Sequence, residues 1–242
     1  MKNDSMNDLD PIILEDSLKI LRENSDTPGQ LQKLYELGDL FQSKRQYQKA
    51  LIYARQALDL SNEKSNLDHQ VVALVNIGCV YWEMSQLKKA MKFYQDALSI
   101  SERLGDKEGQ GMLRAIIGIS YWRKGEWSVA MNWFEKALQN FPDGEIKTEV
   151  LEPIGTCKYK GLRIVMDRGI GILKNRIKIA QSQNDPERIL LPSFSMIPLV
   201  FFTGRKETIS PLLKTIIPLA QQLKKNNILN FIPRLKEIMR VD

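Results

Sequence analysis

Few side chains in this sequence could do covalent chemistry. The 242 residues include one histidine, His69, and two cysteines, Cys79 and Cys157. A serine or cysteine nucleophile needs an adjacent base, and the sole imidazole, His69, falls in a predicted linker. One histidine cannot build a histidine cluster, and the cysteines lie on different predicted helices, so the spacing of a metal site is missing. The run Gly169-Ile170-Gly171-Ile172-Leu173-Lys174 has two glycines before a lysine. It lacks the preceding strand, the third glycine and the Lys-Ser/Thr ending of a phosphate loop, and reads as a close helix contact. The expectation is a protein without catalysis, metal or cofactor, whose chemistry is non-covalent recognition. Two tryptophans forty residues apart, Trp82 and Trp122, beside Glu83 and Arg123, are the strongest candidates to anchor a partner.

The elements that would position them repeat every forty residues. Ile77-Gly78, Tyr81, Ala90, Tyr94 and Ala97 recur as Leu37-Gly38, Phe41, Ala50, Ala54 and Ala57, and again as Ile117-Gly118, Tyr121, Ala130, Phe134 and Ala137. Each copy predicts two helices, roughly residues 30–43 and 47–63 in the first. Glycine inside a helix costs about 1 kcal/mol relative to alanine. Its return at one slot therefore predicts a neighbouring helix too close for a side chain, answered by Ala50, Ala90 and Ala130. Phe41, Tyr81 and Tyr121 are expected in the core. The pattern resembles the tetratricopeptide repeat over about residues 30–142, with Pro142 in that family's terminal proline slot. The period exceeds the family's usual length of about 34 residues by six, and the excess is expected between hairpins, at 63–68 and 103–108. Forty-residue repeats with a Gly105-Asp106 linker are similar to those of spindle-orientation adaptors and bacterial peptide sensors.

The resemblance implies an all-α fold: a right-handed α-solenoid of antiparallel helix pairs with N- and C-terminal capping helices. It also implies a concave groove lined by the first helix of each pair. On that pattern Tyr35 and Asp39 line it in the first copy, Val75, Asn76, Cys79 and Trp82 in the second, and Met112, Ile119, Trp122 and Arg123 in the third. Relatives that grip the carboxylate terminus of heat-shock chaperones carry basic residues and asparagines at these slots. Here Asn76 matches, whereas Tyr35, Asp39, Met112 and Ile116 depart, so that activity is not expected. Asn76 retains the capacity to bond a partner's peptide backbone. First helices stacked about 10 Å apart would join Trp82 and Trp122 into one platform, unless a later helix or a second copy covers them.

Charge divides the chain. Residues 1–29 carry a net −4, residues 30–149 carry +1, and residues 150–242 carry +9. A basic third favours an acidic partner, an anionic surface or nucleic acid, or serves only as a solvated face. Lys158, Lys160, Arg163, Lys174 and Lys178 are its candidates. Residues 1–10 are polar and acidic and read as no secretory signal. Residues 189–204 form an uncharged run of sixteen, below the roughly 20 needed to span a bilayer, and are expected as a buried helix. The absence of a disulfide framework suggests a reducing, cytoplasmic setting.

Three parts are expected. Residues 1–29 form an extension and capping helix, in which Asp10 caps, Pro11 leads, and Leu14, Leu18 and Leu21 share a stripe with Ile13 and Ile20. The turn at 26–29 admits the three regular repeats of 30–142. Residues 143–242 hold divergent repeats, with Ile154-Gly155 on the register of Ile117-Gly118, Asn184-Asp185 on Gly105-Asp106, a kink or break at Pro218, and a final helix over 228–239. Function is expected to be that of an adaptor or assembly chaperone holding an apolar peptide or helix of another protein in the groove. The alternatives are a peptide-sensing regulator and anionic-surface or nucleic-acid binding through the basic third.

Overall fold

Left-handed turns punctuate the chain every twenty residues. Backbone φ is positive at Ser25, Arg45, Ser65, Ser85, Gly105 and Gly125. After each, the next amide returns to a carbonyl five residues back, as in Asp26 to Leu21, Gln46 to Phe41 and Glu126 to Tyr121, at 2.8 to 3.1 Å. This bond closes a helix by satisfying its last carbonyls. Glycine meets the left-handed conformation without cost, while serine or arginine there is strained by about 1–2 kcal/mol. The turn is therefore imposed by the helices it joins.

Those helices follow in a computed structural model that describes residues 10–141 and 159–241. They are α1 (Pro11–Glu23), α2 (Thr27–Ser43), α3 (Tyr47–Glu63), α4 (Leu67–Glu83), α5 (Leu87–Leu104), α6 (Lys107–Arg123) and α7 (Trp127–Leu138). After the undescribed stretch come α8 (Lys160–Ser182), α9 (Pro186–Phe202), a 3-10 turn at Lys206–Thr208, α10 (Ile209–Gln222) and α11 (Asn226–Met239). The described residues hold no strand, and the fold is all-α, built of antiparallel helical hairpins. Pro142, Ile154, Gly155, Cys157 and Lys158 lie outside the described residues.

The same turn organises the C-terminal helices. Asn184, Gly204 and Lys224 have positive φ, again twenty apart, and Asp185, Arg205 and Lys225 return amides to Ala180, Val200 and Ala220 at 2.8 to 3.0 Å. Asn184 thus does the work of Gly105, as its register implies. Asp26, Asn66 and Asp185 cap α2, α4 and α9 through side-chain oxygens 3.1 Å from Gly29, His69 and Arg188 amides.

Several local expectations are corrected. The six extra residues lengthen the helices and leave turns of only two or three residues on both sides of each hairpin, because the same left-handed closure serves every junction. Helix α2 begins at Thr27, since Asp26 caps it and Pro28 fits its first turn. His69 consequently sits in the first turn of α4, outside any linker. In α1, Asp10 accepts the Ile12 amide at 2.9 Å and Leu14 and Leu18 are buried, but Ile13 and Ile20 stay 64% and 57% exposed. Pro218 does not break α10. Helix α9 is the expected buried helix of the uncharged run, and no described helix is long and apolar enough to cross a membrane.

The chain divides into two compact units, residues 1–106 and 107–242. In the first, each of α1 to α5 packs on the next and α2 also touches α4. In the second, α6 pairs with α7, α8 with α9 and α9 with α10, while α9 also lies on α6 and α11 on α7.

Candidate functional site

Within the first unit the glycine slots distinguish one hairpin from the next. A Cβ on Gly78 would lie 2.5 Å from the Tyr94 ring, so the close partner is the aromatic residue of the second helix, not Ala90. Gly38 differs: its nearest neighbour would be the Ala50 carbonyl oxygen at 3.9 Å. The reason is Ala54, which holds the slot of Tyr94 and fills less space. The result is a narrow recess with Gly38, Ala50 and Ala54 at its floor and Tyr35, Asp39, Gln42 and Asn76 around it, too tight in this conformation to admit a water molecule. Tyr35, Asp39 and Asn76 are half-buried.

Tyr35 is tied across to α4. Its hydroxyl donates to the His69 carbonyl oxygen at 3.1 Å and lies 3.2 Å from His69 Nδ1, and the two rings stack at 5.9 Å. Burial pushes the phenol well above the usual tyrosine range. His69 thus fixes one wall of the recess. Cys79 is fully buried and accepts a 3.7 Å contact from the Tyr94 hydroxyl, which turns it toward α5. Val75 is also fully buried, and Trp82 is 5% exposed.

The equivalent face in the second unit is filled. Phe194 of α9 lies 4.7 Å from the Trp122 ring, with Phe134 at 6.0 Å and Trp127 at 5.9 Å. Phe231 of α11 meets Trp127 edge-on at 5.6 Å, and Phe202 of α9 meets Phe134 at 5.2 Å. Trp122 is buried in this aromatic cluster, and Met112 and Ile119 are fully buried along the same helix. A Cβ on Gly118 would lie 2.6 Å from the Phe134 ring.

Comparison with known proteins fits this hairpin geometry. The sequence profile of the tetratricopeptide repeat family matches residues 29–103 and, one repeat on, 69–143. The chain is a tetratricopeptide-repeat protein. No curated protein matches it. Among solved structures it is similar to the apo form of RapI, at 16% identity over 89% of this chain and 77% of that one, with a TM-score of 0.56. It is similar also to BtubC (BKLC) from P. vanneervenii, at 17% identity over 88% and 91%, with a TM-score of 0.50. The quorum sensor NprR from B. thuringiensis aligns at 14% identity over 95% of this chain and 60% of that one, with a TM-score of 0.46. At such identities the likeness is one of fold.

In this tetratricopeptide protein the expected groove residues part company. Tyr35, Asp39 and Asn76 gather at the recess. Arg123 is exposed at the end of α6. Trp122, Met112 and Ile119 are corrected from partner contacts to core, because α9 occupies the face on which a partner was expected. Val75, Cys79 and Trp82 are likewise buried rather than offered to solvent. Of the basic candidates, Lys160, Lys174 and Lys178 are exposed on α8, while Arg163 turns to Asp167 at 3.8 Å, which Arg205 also meets at 2.7 Å. The glycine run lies inside α8, away from any helix start. Gly171 has open space around it and makes no close contact.

Sequence reasoning missed a second aromatic column. Phe41 stacks on Tyr53 at 5.5 Å, Tyr81 on Phe93 at 5.6 Å and Tyr121 on Trp133 at 6.5 Å. Lys49 and Lys89 cover the first two stacks at 5.0 and 5.3 Å. Aromatic residues at 53, 93 and 133 repeat at the forty-residue period, and that was the available signal.

Proposed function

We propose that this chain is a non-catalytic protein-interaction adaptor whose first unit takes an extended segment of a partner protein along α2 and α4. The observation that supports this reading is the recess left by Ala54, with Asn76 half-buried at its rim. An asparagine amide offers a donor and an acceptor to a peptide backbone. An apolar side chain enters over the small-residue floor once Gln42 and its neighbours move aside, and then gains about 25 cal/mol for each Å² removed from water. The fixed Tyr35–His69 wall lowers the ordering cost of binding, since preorganised groups have less freedom to lose.

Selection from a displayed random-peptide library tests it. The wild-type chain should enrich peptides sharing an apolar anchor, and Asn76→Ala should weaken those peptides at least tenfold while melting temperature stays unchanged. Enriched peptides that bind Asn76→Ala as tightly as wild type would place recognition elsewhere and overturn the reading.

A further inference from the structure

Two surfaces outside the recess are matched in shape class and opposite in charge. The first is on α1. Ile12, Ile13 and Ile20 are 64%, 64% and 57% exposed and, at 3.6 residues per turn, fall within a roughly 100° arc opposite the buried Leu14 and Leu18. Exposed Asp16 and Glu23 lie in the same arc, so the helix carries a second, acidic apolar stripe beyond the one that packs on α2.

The second surface is a cleft in the second unit, between α8 and α9 with Lys225 at its edge, of about 520 Å³. Ile179, Leu190, Leu191 and Pro192 supply its apolar lining, and Ile179 and Leu191 are 49% and 53% exposed. Exposed Ile172 continues the row along α8, seven residues before Ile179. Arg176, Arg188 and Lys225 are its basic residues and Glu187 the acid among the lining residues. Lys225 pairs with Glu187 at 2.9 Å and Arg188 with Asp185 at 3.4 Å, while Arg176 is exposed. Residues 150–242 carry +9 where residues 1–29 carry −4.

We propose that the α1 stripe of one copy docks in the α8–α9 cleft of a second copy, assembling the chain head to tail. The cleft has room for the isoleucine side chains of the stripe, and Asp16 and Glu23 then face Arg176 and its basic neighbours. Unlike surfaces meet, so the contact is heterologous, and its repetition either closes a ring or continues as an open chain. One helix face against one cleft is smaller than the roughly 1,200 Å² of stable interfaces, so the association is weak and concentration-dependent.

Sedimentation equilibrium on the full chain tests this. Wild type should show an average mass that climbs with concentration past the dimer and falls back as salt is raised. Ile13→Asp with Ile20→Asp in α1, and separately Leu191→Asp with Arg176→Glu in the cleft, should each sediment as a monomer with unchanged circular dichroism. All four positions are solvent-exposed, which protects the fold. Mixing the two variants should restore a 1:1 complex that grows no further, since the cleft variant keeps its stripe and the α1 variant keeps its cleft. A wild type that stays monomeric up to about 1 mM, the weak end of specific association, would overturn the proposal. So would variants that still associate, or a mixture that does not.

Discussion

Helices α2 and α6 are first helices of equivalent hairpins, seventeen residues each, yet α2 buries six residues and α6 buries twelve. The inner slots differ in kind. Where α2 has Gln32, Glu36 and Asp39, α6 has Met112, Ile116 and Ile119. The repeat dictates the packing of first on second helix in both places, with Gly38 and Gly118 turned to the second helix, Gly118 against the Phe134 ring and Gly38 facing the Ala50 carbonyl. What lies against the inner face is decided by the polarity of those slots. In α6 they are apolar, and α9 covers them. In α2 they are polar, and Gln32, Glu36 and Asp39 keep contact with solvent.

The largest effect expected from this contrast is on Trp122. Trp122→Ala should destabilise the protein by about 3–5 kcal/mol in chemical denaturation, because Phe194, Phe134 and Trp127 would line the cavity left behind. A loss under about 1 kcal/mol would show that α9 does not depend on this face. Next comes Gly78→Leu. The Tyr94 ring stands where the new side chain must go, and overpacking of this kind costs about 1–3 kcal/mol, read as a lowered melting temperature. Tyr35→Phe removes one cross-helix hydrogen bond and should cost about 1 kcal/mol, with a weaker grip on enriched peptides as the wall loosens. Smallest and opposite in sign, Gly38→Ala should stabilise by about 0.5–1 kcal/mol, since a helix-interior glycine gives way to alanine with room to spare. Destabilisation at Gly38 would mean that the first hairpin is as tight as the second.

Much of the fold was legible because the forty-residue register states which residues meet inside a hairpin. Helix α3 and the left-handed Gly105 follow from local signals alone, namely apolar periodicity and turn chemistry. The start of α2 was misplaced because Pro28-Gly29 looks like a turn until Asp26 is recognised as its cap. The candidate site was legible only in part. Slot positions say that Trp122 points inward, but not that a helix some seventy residues later brings Phe194 against it. Contacts distant in sequence leave no periodic trace. The recess was missed for a simpler reason: Ala54 was noted as fitting the repeat pattern, although its departure in size from Tyr94 and Phe134 is what makes the space.

Ala54 also gives the most direct measurement. Ala54→Phe restores in the first hairpin the aromatic residue of the other two, fills the recess above Gly38 and leaves Asn76 in place. Thermal melting together with peptide capture by the same variant should show a melting temperature equal to or above wild type and loss of the enriched peptides. A variant that melts much lower would deny that the walls can give way to a side chain above Gly38, and one that still captures the peptides would deny that the recess is where they bind.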